Sequence, residues 1–231
     1  MNIDLHGFGP ALLAGMLMTV KLALCALLLG LVLGLLGALA KTSPAKPLQW
    51  LGGAYSTLVR GVPELLWVLL IYFGTVNLVS RLGEALNMPD LELSAFAAGV
   101  IALGLCFGAY ATEVFRGAIL AIPKGHREAG LALGLSRGRI LSRIILPQMW
   151  RIALPGLGNL FMILMKDTAL VSVIGLEEIM RHAQIGVTVT KEPFTFYMVA
   201  ACMYLALTVV AMTGMHFLEK RAARGFMRAG Q

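Results

Sequence analysis

Residues 128–147, Glu128-Ala129-Gly130-Leu131-Ala132-Leu133-Gly134-Leu135-Ser136-Arg137-Gly138-Arg139-Ile140-Leu141-Ser142-Arg143-Ile144-Ile145-Leu146-Pro147, lie between two apolar segments, and most of their charges are arginines. The spacing predicts two short helices joined at Gly134 and stopped at Pro147. Helix formers fill 124–133, Gly134 permits a turn, and Ser136 can cap the second helix. In that helix Ile140, Leu141, Ile144 and Ile145 share one side, while Arg137, Arg139 and Arg143 largely fall elsewhere. An ordered connection of about 25 residues between apolar segments points to a function. The amphipathic pattern fits an interfacial helix on lipid headgroups, or a helix pair docking into a groove on a soluble partner. Periodicity leaves both open.

Outward from this stretch the chain is apolar. It is 58% hydrophobic and 13% charged, with a mean hydropathy of +0.82. A soluble domain averages about 45–50% apolar and about 25% charged, so the composition is that of an integral membrane protein. The net charge of +7 gathers in particular loops, which suits membrane orientation. No base-stacking aromatic platform accompanies it, so nucleic-acid binding is disfavoured. Cys25, Cys106 and Cys202 each sit in an apolar run without metal-ligand spacing and read as packing residues. Met1-Asn2-Ile3-Asp4 carries no positive region of the kind that precedes a cleavable signal.

In order, spans are expected at 11–40, 51–80, 94–122, 148–176 and 194–218, in one transmembrane domain over 1–231. Leu22 to Ala40 carries no charge, long enough for a bilayer core, and Lys21 can snorkel at the outer end. Gly30, Gly34 and Gly37 either let another helix approach closely or are merely the glycines common in membrane helices. Arg60-Gly61-Val62-Pro63-Glu64 predicts a break, because Pro63 removes a backbone donor and biases Val62 away from helix. Pro123 is placed at the first position of the helix that follows the third span. The fourth region is interrupted by Lys166-Asp167, and 177–193 reads as a polar loop. Basic residues concentrate in 41–50, 116–151 and the C-terminal tail; acids balance them in 81–93 and 177–193. About five spans, with the N-terminus periplasmic and the C-terminus cytoplasmic, put every basic-rich segment inside. No internal repeat is evident, which disfavours an inverted-repeat secondary transporter.

Charge inside a membrane must face protein or water. Glu64 either starts a helix, where an acid suits the dipole, or contacts a cationic side chain. Lys166, Asp167 and Thr168 are expected to line a substrate pathway with Glu64, because the apolar run stops and resumes around them. Glu113 and Arg116 are spaced for a same-face ion pair. His126 and His182 stand singly in loops and suggest no metal. No nucleophile–base pair suggests an enzyme.

Glu128-Ala129-Gly130, Gly134, Ile144, Leu146 and Pro147 resemble the coupling-loop motif of ATP-binding-cassette importer permeases. The spacing is complete, and the one departure is Gly130 where alanine is usual. The stretches 60–64, 110–118, Pro123-Lys124-Gly125, 154–159 and 166–175 resemble the polar amino acid uptake permeases. Within these the chain is most similar to the Q-type membrane subunit of histidine/lysine/arginine/ornithine importers. The resemblance implies an all-α permease fold like that of the methionine importer, in a bacterial inner membrane. It implies that Gly125, Glu128, Ala129, Gly130, Gly134, Ile144, Leu146 and Pro147 couple to an ATPase. The implied partners are an M-type second permease, two copies of a cytoplasmic ATPase and a periplasmic substrate-binding protein. The sequence carries no phosphate-binding loop, so ATP and Mg belong to the partner ATPase and no cofactor to this chain. The implied cargo is a basic amino acid; glutamine or cystine on the same fold, or an ATP-independent channel or transporter, are the rivals.

Overall fold

A computed structural model describes residues 5–85 and 93–223. Within the expected 81–93 loop, residues 86–92 lie outside that range, as do the tail arginines Arg224 and Arg228. The described residues form helices α1 (Gly9–Lys41), α2 (Lys46–Gly61), α3 (Glu64–Ala85), α4 (Ala95–Leu120), α5 (Lys124–Ala132), α6 (Arg137–Ile140), α7 (Leu146–Asp167), α8 (Ile179–Thr190) and α9 (Pro193–Ala223). A π turn (Leu141–Ile145) joins α6 to α7, and a 3-10 segment (Thr168–Ile174) extends α7.

Among the described residues four elements are long and apolar enough to cross a membrane: α1, α4, the 38-residue run Arg137–Ile174, and α9. The α2–α3 pair makes a fifth only as a broken span, bent by 103°. The bend sits where Val62 is extended (φ −114°, ψ 137°) ahead of Pro63. The Trp67 indole holds it by donating to the Val59 carbonyl at 3.0 Å. Residues 51–80 are therefore two helices meeting at a corner, at the expected break, and count as a span only when the bent pair is taken as one.

The core is the α1–α4 pair. Gly30, Gly34 and Gly37 are all buried and all face α4. A methyl on Gly34 would stand 2.6 Å from the Ala111 Cβ and 3.2 Å from that residue's backbone carbon. One on Gly30 would meet the Phe107 ring at 2.5 Å, and one on Gly37 would strike Thr112. From the other side, Gly104 receives Leu29 and Gly108 receives Leu33. Of the two readings of the stripe, close helix approach is the one the structure takes. The Tyr55 hydroxyl donates to the Leu105 carbonyl at 2.8 Å and pins α2 to the same helix. At the lower end Lys41 Nζ donates to Glu113 Oε1 (2.5 Å) and Ser56 Oγ (2.9 Å). Arg116 Nε donates to Glu113 Oε2 at 3.0 Å, so the expected Glu113–Arg116 pair is part of a cluster joining α1, α2 and α4.

The outer faces are apolar. Leu13, Leu17, Leu24, Leu28, Val32 and Leu36 on α1, and Leu205, Val209 and Phe217 on α9, are exposed. That is the pattern of surfaces covered by lipid or by other helices rather than by water.

Two expectations are corrected. Pro147 does not stop a helix: it lies in the first turn of α7, and the chain runs helical from Arg137 to Ile174. Proline lacks an N–H and its ring crowds the carbonyl four residues back. The π turn just ahead, where the Leu146 N–H reaches the Leu141 carbonyl, opens the backbone at that point. Residues 177–193 are not a loop but hold α8, started by Glu178, whose carboxylate caps the Arg181 N–H at 2.8 Å.

Candidate functional site

The residues singled out in the sequence fall into two places, far apart along the Arg137–Ile174 run. The first is built from α5, the Gly134 turn and α6. Pro123 precedes α5 as its N-cap instead of opening its first turn. Gly134 takes φ +73°, a left-handed conformation that an L side chain adopts only with strain. The Gly134 N–H bonds the Leu131 carbonyl (2.9 Å) and the Leu135 N–H the Gly130 carbonyl (3.0 Å), closing the turn. Ser136 occupies the expected N-cap of α6 but makes no side-chain cap bond.

Gly130 is buried against the π-turn region: a Cβ there would lie 2.9 Å from Ile140 Cγ1 and 3.1 Å from Ile144 Cδ1. The departure from the usual alanine thus lets α5 rest directly on the two isoleucines. His126 Nδ1 meets Gln148 Oε1 at 2.8 Å, and the Gln148 amide donates to the Ile144 carbonyl at 2.8 Å, bracing α5 against α7. Gly125, Glu128, Ala129 and Pro147 are exposed; Ile144 and Leu146 are half-buried beneath them. Leu131 on α5 and Leu133 at its C-cap are 50% and 80% exposed. A water-facing helix with two bare leucines is a contact surface for something apolar.

The second place is a pocket of about 150 Å³ lined by Glu64, Leu103, Cys106, Phe107, Tyr110, Leu160, Ile163, Leu164 and Asp167. Glu64 is the first residue of α3, immediately past the bend, so the corner delivers its carboxylate to the pocket. Asp167 ends α7. The two carboxyls line the same pocket, one from the start of α3 and one from the end of α7. Of the four predicted pathway residues, the structure brings these two together. Lys166 is exposed and does not line the pocket, since neighbours on a helix diverge by about 100°. Thr168 is fully buried, its hydroxyl bonded to the Met165 carbonyl at 2.8 Å. The Arg60 guanidinium carbon stands 6.0 Å from the centroid of the Tyr110 ring, which lines the pocket.

A third group escaped the sequence reading. Glu178 is fully buried and accepts from the Tyr204 hydroxyl at 2.6 Å. Its neighbour Ile179 donates its N–H to the Thr19 hydroxyl at 3.4 Å. One carboxyl thus ties α8 to α9 beside α1. Burial pushes the Glu178 carboxyl above the ordinary carboxylate range, against the pull of Tyr204 and the backbone donors. The available signal was an acid just before the apolar-periodic 179–187, a capping position; its partner Tyr204 lies in another helix. Among the described residues no His/Cys/Asp/Glu group is arranged to hold a metal.

Residues 26–224 match the family described as binding-protein-dependent transport system inner membrane component. The chain is 41% identical over 225 residues to the histidine/lysine/arginine/ornithine transport system permease protein HisQ of Escherichia coli (strain K12), covering 97% of this chain and 99% of that one. It is 47% identical over 210 residues to the arginine ABC transporter permease protein ArtQ of Haemophilus influenzae, covering 90% and 91%. It is 43% identical over 232 residues to the octopine transport system permease protein OccQ of Rhizobium meliloti, covering 98% of each. Among solved structures, an amino acid ABC transporter with histidines superimposes with a TM-score of 0.80 at 33% identity, covering 96% of this chain and all of that one. The MetNI methionine ABC transporter gives 0.76 at 16% identity, covering 94% and 98%, a likeness of fold.

Proposed function

This chain belongs to the binding-protein-dependent transport system inner membrane components, and from that premise we propose that it is the permease through which an ATP-driven importer moves basic amino acids. It is the membrane component of an ABC system and not its ATPase, so the system draws on a separate ATPase and a binding protein. We assign it an M-type permease partner and two copies of the ATPase, with the N-terminus outside and the whole chain acting as one transmembrane domain.

The observation that carries the substrate class is the pocket: two carboxyls, Glu64 and Asp167, and no cation among the lining residues. Two acids facing each other in an apolar wall repel unless a proton or a cation is shared between them. A guanidinium or ammonium side chain meets that need. Arg60, beside Tyr110, offers a cation to the carboxylate end of an amino acid. The relatives named for arginine, or for histidine, lysine, arginine and ornithine, support the same reading.

Coupling is assigned to the α5 region: Gly125, Glu128, Ala129, Gly130, Gly134, Ile144, Leu146 and Pro147. Closure of the ATPase pair on ATP moves α5, with Leu131 and Leu133 as its apolar contact. The movement passes to α6 and α7 as rigid-body motion, because Gly130 seats α5 on Ile140 and Ile144.

The test is uptake by the complete transporter in liposomes, with binding protein loaded with arginine or with glutamine. Glu64→Gln removes one charge-assisted contact worth about 1.5–3 kcal/mol, so the KM for arginine should rise about 10- to 150-fold. Arginine uptake unchanged in both Glu64→Gln and Asp167→Asn would remove the cationic reading.

A further inference from the structure

A second cleft, about 510 Å³, opens between the lower ends of α1 and α4 on one side and α5, α6 and the π turn on the other. Its walls are apolar: half-buried Leu39 comes from α1, Ile119 from α4 and Ile145 from the π turn. Its mouth carries Lys124, Arg127 and Arg137, and no carboxylate lines it. All three cations are exposed, and none is ion-paired with a carboxylate among the described residues. The Thr42 hydroxyl is bonded to the Ala38 carbonyl at 2.8 Å and the Ser43 hydroxyl accepts from the Ala45 N–H at 3.2 Å, so the charged groups facing the opening are the three cations.

Two features decide the occupant. Three unpaired cations call for an anion, and arginine favours a phosphate because its fork matches two oxygens. The cleft lies where α1 and α4 end, on the side to which the charge distribution assigns the cytoplasm. That is the depth of the inner-leaflet headgroups, and basic pockets between helix ends at this depth suit anionic lipid. A soluble anion would have no use for isoleucine walls; an acyl chain would. We propose that this cleft binds an anionic phospholipid, with the headgroup on Lys124, Arg127 and Arg137 and the upper chain against Ile119 and Ile145. Bound there, the lipid bridges the ends of the spans to the α5 region, so it should strengthen the response of the ATPase to the loaded binding protein. That last consequence rests on the coupling role assigned above; the binding itself does not.

The experiment uses the complete transporter, purified and reconstituted into nanodiscs of phosphatidylcholine alone or with one fifth phosphatidylglycerol. Retained lipid is read by native mass spectrometry and coupling by binding-protein-stimulated ATP hydrolysis. Arg127→Gln/Arg137→Gln is compared with Arg139→Gln/Arg143→Gln, which removes the same charge from residues outside the cleft. The expected result is phosphatidylglycerol retained by the natural chain and by the outer pair, and at least tenfold less by the cleft pair. Equal retention by both pairs would mean diffuse surface attraction and overturn the site. Retention of phosphatidylcholine in the same amount, or displacement of the lipid by millimolar inorganic phosphate, would overturn the lipid as occupant. Loss of the ATPase subunit from the cleft pair during purification would assign the cleft to a protein contact instead. Selective lipid binding without any change in stimulated hydrolysis would keep the site and remove the coupling role of α5 from it.

Discussion

The α1–α4 contact gives a prediction with a sign. Gly34→Ala and Gly214→Ala add the same methyl to a helix interior. At Gly34 the new carbon would lie 2.6 Å from the Ala111 Cβ and 3.2 Å from both a backbone carbon and the Gly108 carbonyl oxygen. Backbone atoms do not swing aside as a flexible side chain does, so α1 and α4 must separate along the whole glycine stripe. Overpacking of this kind costs about 1–3 kcal/mol. Alanine recovers about 1 kcal/mol of helix propensity over glycine, leaving Gly34→Ala destabilised by about 0–2 kcal/mol. At Gly214 nothing lies within 4 Å, so only the propensity gain of about 1 kcal/mol remains. The two variants should therefore differ by the clash itself, about 1–3 kcal/mol. For a chain of this size each kcal/mol moves the thermal midpoint by about 2–4 °C. The assay is thermal unfolding of the purified transporter in one detergent, followed by loss of the monodisperse complex. Midpoints that agree to within a degree would show that the helices are not held at glycine distance, and the account of the core would fall.

Three further outcomes follow from single contacts. Glu113→Gln leaves Lys41 and Arg116 without their shared carboxylate in a site where Lys41 and Glu113 are only 19% and 21% exposed; it should destabilise the transporter by about 1–3 kcal/mol, read by the same thermal assay. Tyr204→Phe strips the buried Glu178 of a donor and should cost about 1–3 kcal/mol, with proteolysis showing α8 loosened first; unchanged cleavage at 179–190 would speak against the pin. Glu128→Arg and Gly134→Asp should leave membrane insertion intact while binding-protein-stimulated hydrolysis and uptake drop together, and normal uptake in assembled variants would exclude the coupling role.

Much of this architecture was legible because the responsible signals are local. The corner at Gly61–Pro63 is dictated by a proline and its predecessor, and the glycine stripe recurs at helical spacing within one segment. Glu64 and Asp167 stood out because charges interrupt apolar runs. Lys166 and Thr168 were read with Asp167 because adjacency in sequence was taken for adjacency in space; a helix turns them to three different surroundings. What stayed hidden depends on partners remote in the chain: Lys41 to Glu113, and Glu178 to Tyr204 across two helices. The run through Pro147 was hidden for another reason. A proline ordinarily ends a helical pattern, and nothing in residue type marks the wider turn that accommodates it.

The unbroken course from Arg137 to Ile174 has a mechanical consequence. At about 1.5 Å per residue, Arg137 and Asp167 are the two ends of a shaft roughly 45 Å long, with Pro147 accommodated by the π turn and Pro155 inside α7. On the coupling role proposed above, torque applied at the Arg137 end would arrive at the carboxylate without passing through a loop. A few degrees of twist there would swing Asp167 relative to Glu64, which rides on a different helix. Grip on the cargo and the power stroke would then be geared together, so a variant that stiffens or loosens the shaft near Pro155 should change affinity and turnover as one quantity.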